Sequence, residues 1–477
     1  MSSQFELERK KKLDALVALG VDPYGHRFAD AESAAQIREK FAAQGESAEA
    51  VAAGRLLAMR KFGKLAFADV VDQTGRIQVC FNRDELGPQF DIFKQLDLGD
   101  IVGVAGKLFV TKTGELTILV KKLDVLCKSL LPPPEKWHGL ADVEMRYRQR
   151  YVDLFANLEV RQTFLKRSRI IAHFRRILDE WGFLEVETPM MQTQYGGAAA
   201  RPFTTHHNAL DLDLFLRISP ELYLKRLLVG GLEKVFEINR NFRNEGISTR
   251  HNPEFTMMEL YQAYADYEDM MAITERLVAG AALEVCGSMT LPFRDLEINY
   301  APPWRRATYA ELLQEHAGVA MADEPAVRAK ARALGQAEAN KDIAVVIQNL
   351  FEATVEEKLI QPTFVKDYPA ALCPLTRRHP DDPNIALRFE AYVAGMEIAN
   401  AYTELNDPAV QEANFRQQLK GEVEGETMRI LDEDFLTALK QGMPPAGGLG
   451  VGIDRVVMLL TASPSIRDVI LFPLLRP

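Results

Sequence analysis

The sequence contains no apolar run near the roughly 18–20 residues needed to cross a bilayer, so neither a membrane span nor a membrane partner is expected. The start, MSSQFELERKKK, has no apolar stretch behind its charges, which points to a cytoplasmic chain mature from Met1. Cysteine is scarce: Cys80, Cys127, Cys286 and Cys373 are all there is, without a CxxC, so neither a zinc knuckle nor a disulfide framework is expected. Several nucleotide and hydrolase signatures are missing too. There is no GxxxxGK[ST], no HExxH and no GxSxG. The run Gly447-Gly448-Leu449-Gly450-Val451-Gly452 places Ile453 where a dinucleotide fingerprint needs its third glycine. Repeats and low-complexity tracts are absent. Any nucleotide bound here is held by another device.

What is present is an ordinary globular composition, 47% hydrophobic and 26% charged over 477 residues, enough for two to four domains. The net charge of −10 argues against a polyanionic partner at first sight. Locally the balance reverses. Residues 54–130 carry twelve Lys/Arg against nine Asp/Glu, and a mildly basic module on an acidic body can still bind nucleic acid.

Residues 1–53 read as a helical extension. Its first helix, near residues 3–20, carries Arg9, Lys10, Lys11 and Lys12 as either a solvated face or a nucleic-acid contact, and Gly20 closes it. Residues 54–130 then show five short alternating runs: Arg55–Arg60, Leu65–Val71, Arg76–Phe81, Ile101–Val110 and Leu116–Leu126. Turns such as Asp72-Gln73-Thr74-Gly75 separate them, and one helix follows the third run, the pattern of an OB-type barrel. Pro132-Pro133-Pro134 opens a linker over residues 131–157. From residue 158 to 477 the chain reads as one long domain, entered by a helix with Val160, Phe164, Ile171, Phe174, Leu178 and Trp181 near one face.

Polar and aromatic residues alternate along three segments of that domain. Over Val235–Glu245 every second residue, Glu237, Asn239, Asn241, Arg243 and Glu245, shares a face. After a loop through Arg250-His251-Asn252, the run Pro253–Tyr264 aligns Phe255, Met257, Glu259 and Tyr261. Burying such a mixture dry is costly, so a wet, walled cleft is expected. Asn400, Tyr402 and Glu404 share a third face. Glu397 is out of phase with them, so either a bulge intervenes or Glu397 serves separately. In the glycine run that ends at Arg455, Asp454 reads as the cap of the following helix.

These segments resemble the three signature motifs of class II aminoacyl-tRNA synthetases. Gly182–Pro189 is similar to motif 1, Phe242-Arg243-Asn244-Glu245 through Arg250-His251-Asn252-Pro253-Glu254-Phe255 to motif 2, and Gly450–Arg455 to motif 3. With Gly196-Gly197-Ala198, Pro220-Glu221-Leu222-Tyr223-Leu224-Lys225-Arg226, Asn400–Asp407 and the ending Ile466–Pro473, the whole chain resembles the class II lysyl-tRNA synthetase family. Two departures, Pro445-Ala446-Gly447-Gly448 for the usual Pro-Thr-Ala-Gly and Asn-Ala-Tyr-Thr-Glu for Asn-Gly-Phe-Ser-Glu, remove no side chain assigned below.

The resemblance implies an α+β multidomain fold: an OB-fold anticodon-binding barrel, then a catalytic domain with an antiparallel sheet flanked by helices. It implies ATP and Mg²⁺, the partners L-lysine and tRNA(Lys), and a homodimer built through motif 1. Arg243 would bridge the substrate carboxylate and the α-phosphate, and Phe255 and Arg455 would hold adenine or the γ-phosphate. Glu245, His251, Asn252, Asn400 and Gly452 would line the ATP site, and Glu390 and Glu397 would hold Mg²⁺. The amino acid would meet Gly197, Glu221, Arg243, Glu259, Tyr261, Asn400, Tyr402 and Glu404. Glu221 and the Gly197 backbone are assigned to its α-amino group, and Glu404 with Tyr261 to its ε-ammonium. Of these, Glu221, Glu259, Tyr261, Asn400, Tyr402 and Glu404 give three carboxylates with only neutral polar partners, a pocket suited to a substrate with two ammonium groups. In the barrel, Phe67, Gln78 and Glu115 would read the anticodon, with barrel core as the competing reading of Phe67. A protein-lysylating relative would generally lack the barrel. A non-catalytic paralogue would be expected to have lost one of Arg243, Glu245, Glu404 or Arg455.

Overall fold

The structure is a computed structural model that describes residues 4–134, 142–198, 200–336, 339, 341–418 and 432–476. The chain forms two compact units, residues 1–158 and 159–477.

In the first unit five strands close a barrel in the order Glu49–Phe62, Leu65–Val71, Arg76–Asn82, Leu116–Cys127, Ile101–Val110. Alternation explains it. Ala66, Ala68 and Val70, Ile77, Val79 and Phe81, and Ile118 and Val120 all enter one core. The turn at Asp72 is built by its carboxylate, which accepts from the Thr74 and Gly75 amides at 2.7 and 2.9 Å. The first strand begins at Glu49 rather than Arg55, because Glu49–Ala53 pair with the fourth strand, Ile101–Val110. The N-terminal helix spans Gln4–Ala18. Its Arg9 is neither a solvated side chain nor free for nucleic acid. Arg9 is buried and donates to the carbonyls of Leu98, Ser129 and Leu131. Where a linker was expected, residues 142–156 carry two short helices, Val143–Arg148 and Arg150–Ala156.

The second unit is organised by an eight-stranded sheet. Its order is Arg305–Thr308, Thr363–Pro369, Ile385–Val393, Met396–Thr403, Ala446–Gly452, Glu254–Ala263, Lys234–Phe242, Leu184–Glu185. The six inner strands pair antiparallel and the two edge strands join in parallel, so the sheet is mixed rather than purely antiparallel. Helices Leu158–Glu180 and Tyr267–Cys286 cover it. The first buries Ile170, Phe174 and Leu178, spaced by four along one stripe. The second starts at a capping box of Asp266 with Asp269 and ends at left-handed Gly287.

Candidate functional site

Strands Glu254–Ala263, Met396–Thr403 and Ala446–Gly452 present their polar face to a cleft of about 1830 Å³. Phe255, Met257, Glu259 and Tyr261 line it from the first of these. The strand Lys234–Phe242 contributes less than its alternation suggests. It stops at Phe242, so Arg243 and Glu245 lie in the loop beyond it, where both line the cleft. Glu237, Asn239 and Asn241 are buried instead, with Glu237 held by Arg217 at 2.6 Å and Thr188 at 2.7 Å.

Glu397 reaches the cleft beside Asn400 and Tyr402 because the sheet is irregular there. Asn400 and Ala399 face Glu390 and Ala391, but Glu397 faces Tyr392, which leaves Ile398 unmatched. The bulge supplies the missing half-period, and all three side chains share the wet face.

At the acidic end, Glu221, Glu259 and Glu404 are all buried. Their partners are not only neutral, as expected, because Lys225 stands among them. Its ammonium lies 2.6 Å from Glu221 and 2.5 Å from Glu404, and 5.9 Å from the centre of the Tyr261 ring. Glu221 and Glu404 together hold the Lys225 pKa above its ordinary value against the cost of burial. Burial, with Glu221 adding repulsion, pushes Glu259 up to about 8, although Ser219 donates to it at 3.0 Å. Two glycines shape this floor. A Cβ on Gly448 would sit 2.0 Å from Glu404 Oε1 and 2.5 Å from Tyr261 Cε1, so only a hydrogen fits. Gly197 adopts φ +83° with Ser219 and Glu221 against it.

At the basic end, Arg243 stacks over Phe255 with its guanidinium carbon 5.1 Å from the ring centre. It makes no ion pair among the described residues, and its buried Nε has no hydrogen-bond partner. Arg455 donates to the Glu397 carbonyl at 2.6 Å, approaches its carboxylate at 3.2 Å and contacts His251 at 3.3 Å. Partial burial and the Arg455 charge lower the His251 pKa. Asn252 donates to the Glu254 carbonyl at 2.6 Å, leaving its buried Oδ1 unpaired. Gly452 is the backbone N-cap of helix Ile453–Leu460, so Asp454 is not the cap expected of it. Asp454 instead accepts from the Thr256 amide at 2.7 Å and from Arg167 at 2.6 Å.

Between the two ends lies a cluster that residue-by-residue reading missed. Arg388 pairs with Glu390, donates to Asn400 Oδ1 at 3.1 Å, and sits between the rings of Tyr368 and Tyr402 at 4.7 and 5.4 Å. Its signal was available, since Arg388 lies two residues from Glu390 on one strand face. Tyr402 is tied to Asn400 at 2.8 Å. Glu390 accepts from Tyr368 and Tyr392 at 2.9 and 2.7 Å. Burial and repulsion by Glu390 raise the Glu397 pKa. Two carboxylates that repel across a wet cleft suit a hard cation. No cluster of three or more metal-binding side chains occurs among the described residues, so a cation here would take its remaining ligands from a bound anion or water.

On the barrel, Phe67 lies outside the core formed by Ala66, Ala68 and Val70, half-buried, with the exposed ring of Phe62 6.4 Å away. Gln78 is buried and accepts from Thr117 at 2.9 Å, and Glu115 lies 3.6 Å from Arg76.

The family model for class II tRNA synthetases (D, K and N) matches residues 142–476, and the one for the OB-fold nucleic acid binding domain matches residues 50–126. Curated relatives named lysine–tRNA ligase align over nearly the whole chain. The Syntrophomonas wolfei protein is 52% identical over 100% of this chain and 97% of its own length. That of Moorella thermoacetica is 54% identical over 98% and 97%, and that of Magnetococcus marinus 50% over 98% and 96%.

Proposed function

The chain belongs to the class II tRNA synthetases of the D, K and N group, and from that membership we propose that it activates L-lysine with ATP and transfers it to the 3′ end of tRNA(Lys). The observation that carries the choice of amino acid is the buried cluster of Glu221, Glu259 and Glu404 facing a free Arg243. Even with Lys225 among them the three carboxylates leave this end acidic, so a substrate with two ammonium groups and one carboxylate matches the order of charges, and aspartate would be repelled by it.

In the proposed reaction the lysine carboxylate attacks the α-phosphorus in line and pyrophosphate leaves, giving lysyl-adenylate. Arg243 orients the carboxylate and α-phosphate, Phe255 packs on adenine, and Arg455 neutralises charge on the phosphate tail. Glu245, His251, Asn252 and Gly452 line that tail, and Asn400 and Tyr402 position the amino acid. Glu390 and Glu397 would hold Mg²⁺, which supplies charge neutralisation on the phosphates when bound. The terminal 3′-hydroxyl of the tRNA then attacks the adenylate carbonyl, forming the ester as the acyl–phosphate bond breaks and AMP and the hydroxyl proton leave. Phe67, with Gln78 and Glu115, would meet anticodon bases, and its place outside the barrel core supports the stacking role. The division into an extension (1–53), anticodon barrel (54–130), linker (131–157) and catalytic domain (158–477), the homodimer and a cytoplasmic location belong to the same proposal. No helix among the described residues is long and apolar enough to cross a membrane.

The test is ATP–pyrophosphate exchange with each of the twenty amino acids. Lysine alone should support exchange, and Glu404→Gln should lower kcat/KM for lysine about 100-fold, as expected when a buried ion contact loses its charge. Exchange with none of them by folded, ATP-binding protein would sink the proposal.

A pH dependence follows from Glu259. With its pKa near 8 in the free site, it is largely protonated at pH 7. A substrate ammonium beside it favours the ionised form, so lysine binding releases its proton and tightens as pH rises towards 8. From pH 7 to pH 8 the KM for lysine should fall roughly fivefold, and Glu259→Gln should reduce that change, leaving the part due to Glu404, which burial also pushes up to about 8. A wild-type profile already flat over this range would contradict the assignment.

A further inference from the structure

Lys225 is the buried cation that the proposed chemistry leaves without a task. It is fully buried, one helical turn from Glu221 on helix Glu221–Val229, and its ammonium touches one oxygen of each of two carboxylates from different elements: Glu221 Oε1 and Glu404 Oε2. Each carboxylate keeps its second oxygen. The Lys225–Glu404 contact is an ion pair through Oε2 without hydrogen-bond geometry, and the unpartnered Oε1 lies against Gly448, a residue of the cleft wall. Glu221 Oε2 has none among the described residues, and Glu221 also lines the cleft. A carboxylate oxygen accepts more than one hydrogen bond, and a contact at one oxygen narrows the range of positions open to the other.

We propose that Lys225 is a specificity-determining positioning residue: by tying Glu221 to Glu404 it fixes the separation of their two free oxygens, and that separation fits the two amino groups of lysine and not those of a shorter diamino acid. The proposal rests on the reading of this pocket as a lysine site. Its physical basis is the difference between apolar and polar discrimination. One missing methylene in an apolar pocket is worth only about 10–200-fold, whereas a rigid polar site leaves groups unpaired and discriminates far more strongly. Carboxylates free to follow a short chain would recover both contacts with ornithine. Carboxylates pinned by Lys225 leave one ammonium unmet. The packing supports a fixed role, because Lys225 has no exposed surface into which it could withdraw, and Gly448 lies against both Glu404 and Tyr261.

The experiment compares lysine with ornithine in ATP–pyrophosphate exchange, using the full chain as wild type, Lys225→Met and Lys225→Arg. Melting temperature and the KM for ATP are recorded for each. The ratio of kcat/KM for lysine over ornithine should fall at least about tenfold in Lys225→Met, with the KM for ATP little changed. A purely structural lysine would lower stability or the rate with both substrates and leave that ratio intact. If Lys225→Met does not fold, Lys225→Arg decides, because it keeps the charge and its wider fork moves the two carboxylates apart. It too should lose the ratio. A folded variant with an unchanged ratio overturns the proposal while the lysine reading stands. A wild-type chain that shows no lysine-dependent exchange overturns both.

Discussion

Arg243→Lys is expected to slow adenylate formation about 10³-fold, the scale seen when a pre-positioned charge stabiliser at a transferring group is lost. The lysine substitution keeps the charge, so the loss would report geometry. Arg243 is laid flat on Phe255, makes no ion pair among the described residues and leaves its Nε without a partner. It is thus an arginine whose donors are reserved for something not of the protein. A planar fork can hold the substrate carboxylate with one edge and an α-phosphate oxygen with another, and an ammonium on a flexible stem cannot hold both at once. The expected signature in pre-steady-state burst kinetics is a large drop in the rate of adenylate formation with a small change in ATP affinity. A burst within threefold of wild type would remove Arg243 from the reacting centre.

The cleft face that carries Phe255, Glu259 and Tyr261 was legible from alternation, because period-two spacing survives intact along Glu254–Ala263. Alternation failed where the backbone is irregular. At Glu397 it left two readings open, and the unmatched Ile398 decides for a bulge. Beyond Phe242 the alternation continued in sequence although the strand had ended, so polarity alone carried no boundary.

The hardest residues to read were the charged ones. Lys225 four residues after Glu221 is the ordinary pattern of an exposed helix pair, and only Glu404, far along the chain, reveals that the pair is buried. Arg9 and its lysine neighbours form a basic run that looks made for nucleic acid, yet Arg9 is spent on three backbone carbonyls. Local sequence records charge and spacing. It does not record whether the counter-charge comes from solvent, from substrate or from a distant strand. For this reason the basic and acidic ends of the cleft could be assigned residue by residue only through resemblance, while their internal pairings with Lys225 and Arg388 had to come from the fold.

Asp454 illustrates the same point and carries the largest expected effect on stability. Its position in the first turn of a helix suggests a cap, but Gly452 occupies that place. Its carboxylate instead joins three elements: its own helix, Arg167 on helix Leu158–Glu180, and the Thr256 amide on the strand after the motif 2 loop. Arg167 also donates to the Thr256 hydroxyl at 3.0 Å, which closes the network. Asp454→Ala would leave a largely buried guanidinium without its anion and a buried amide without its acceptor. Removing one partner of such a buried pair costs about 3–5 kcal/mol. The denaturant midpoint followed by tryptophan fluorescence should therefore fall well below wild type. Asp454→Asn can keep the Thr256 bond and should lose less, which separates the cost of the unpaired charge from that of the orphaned amide. Arg455 is the next residue of the same helix, so its backbone is held by this anchor. Asp454→Ala protein that remains folded at low temperature should therefore also bind ATP more weakly, whereas unchanged stability and ATP affinity would show that Arg167 finds another anion and that the three elements are not joined through this carboxylate.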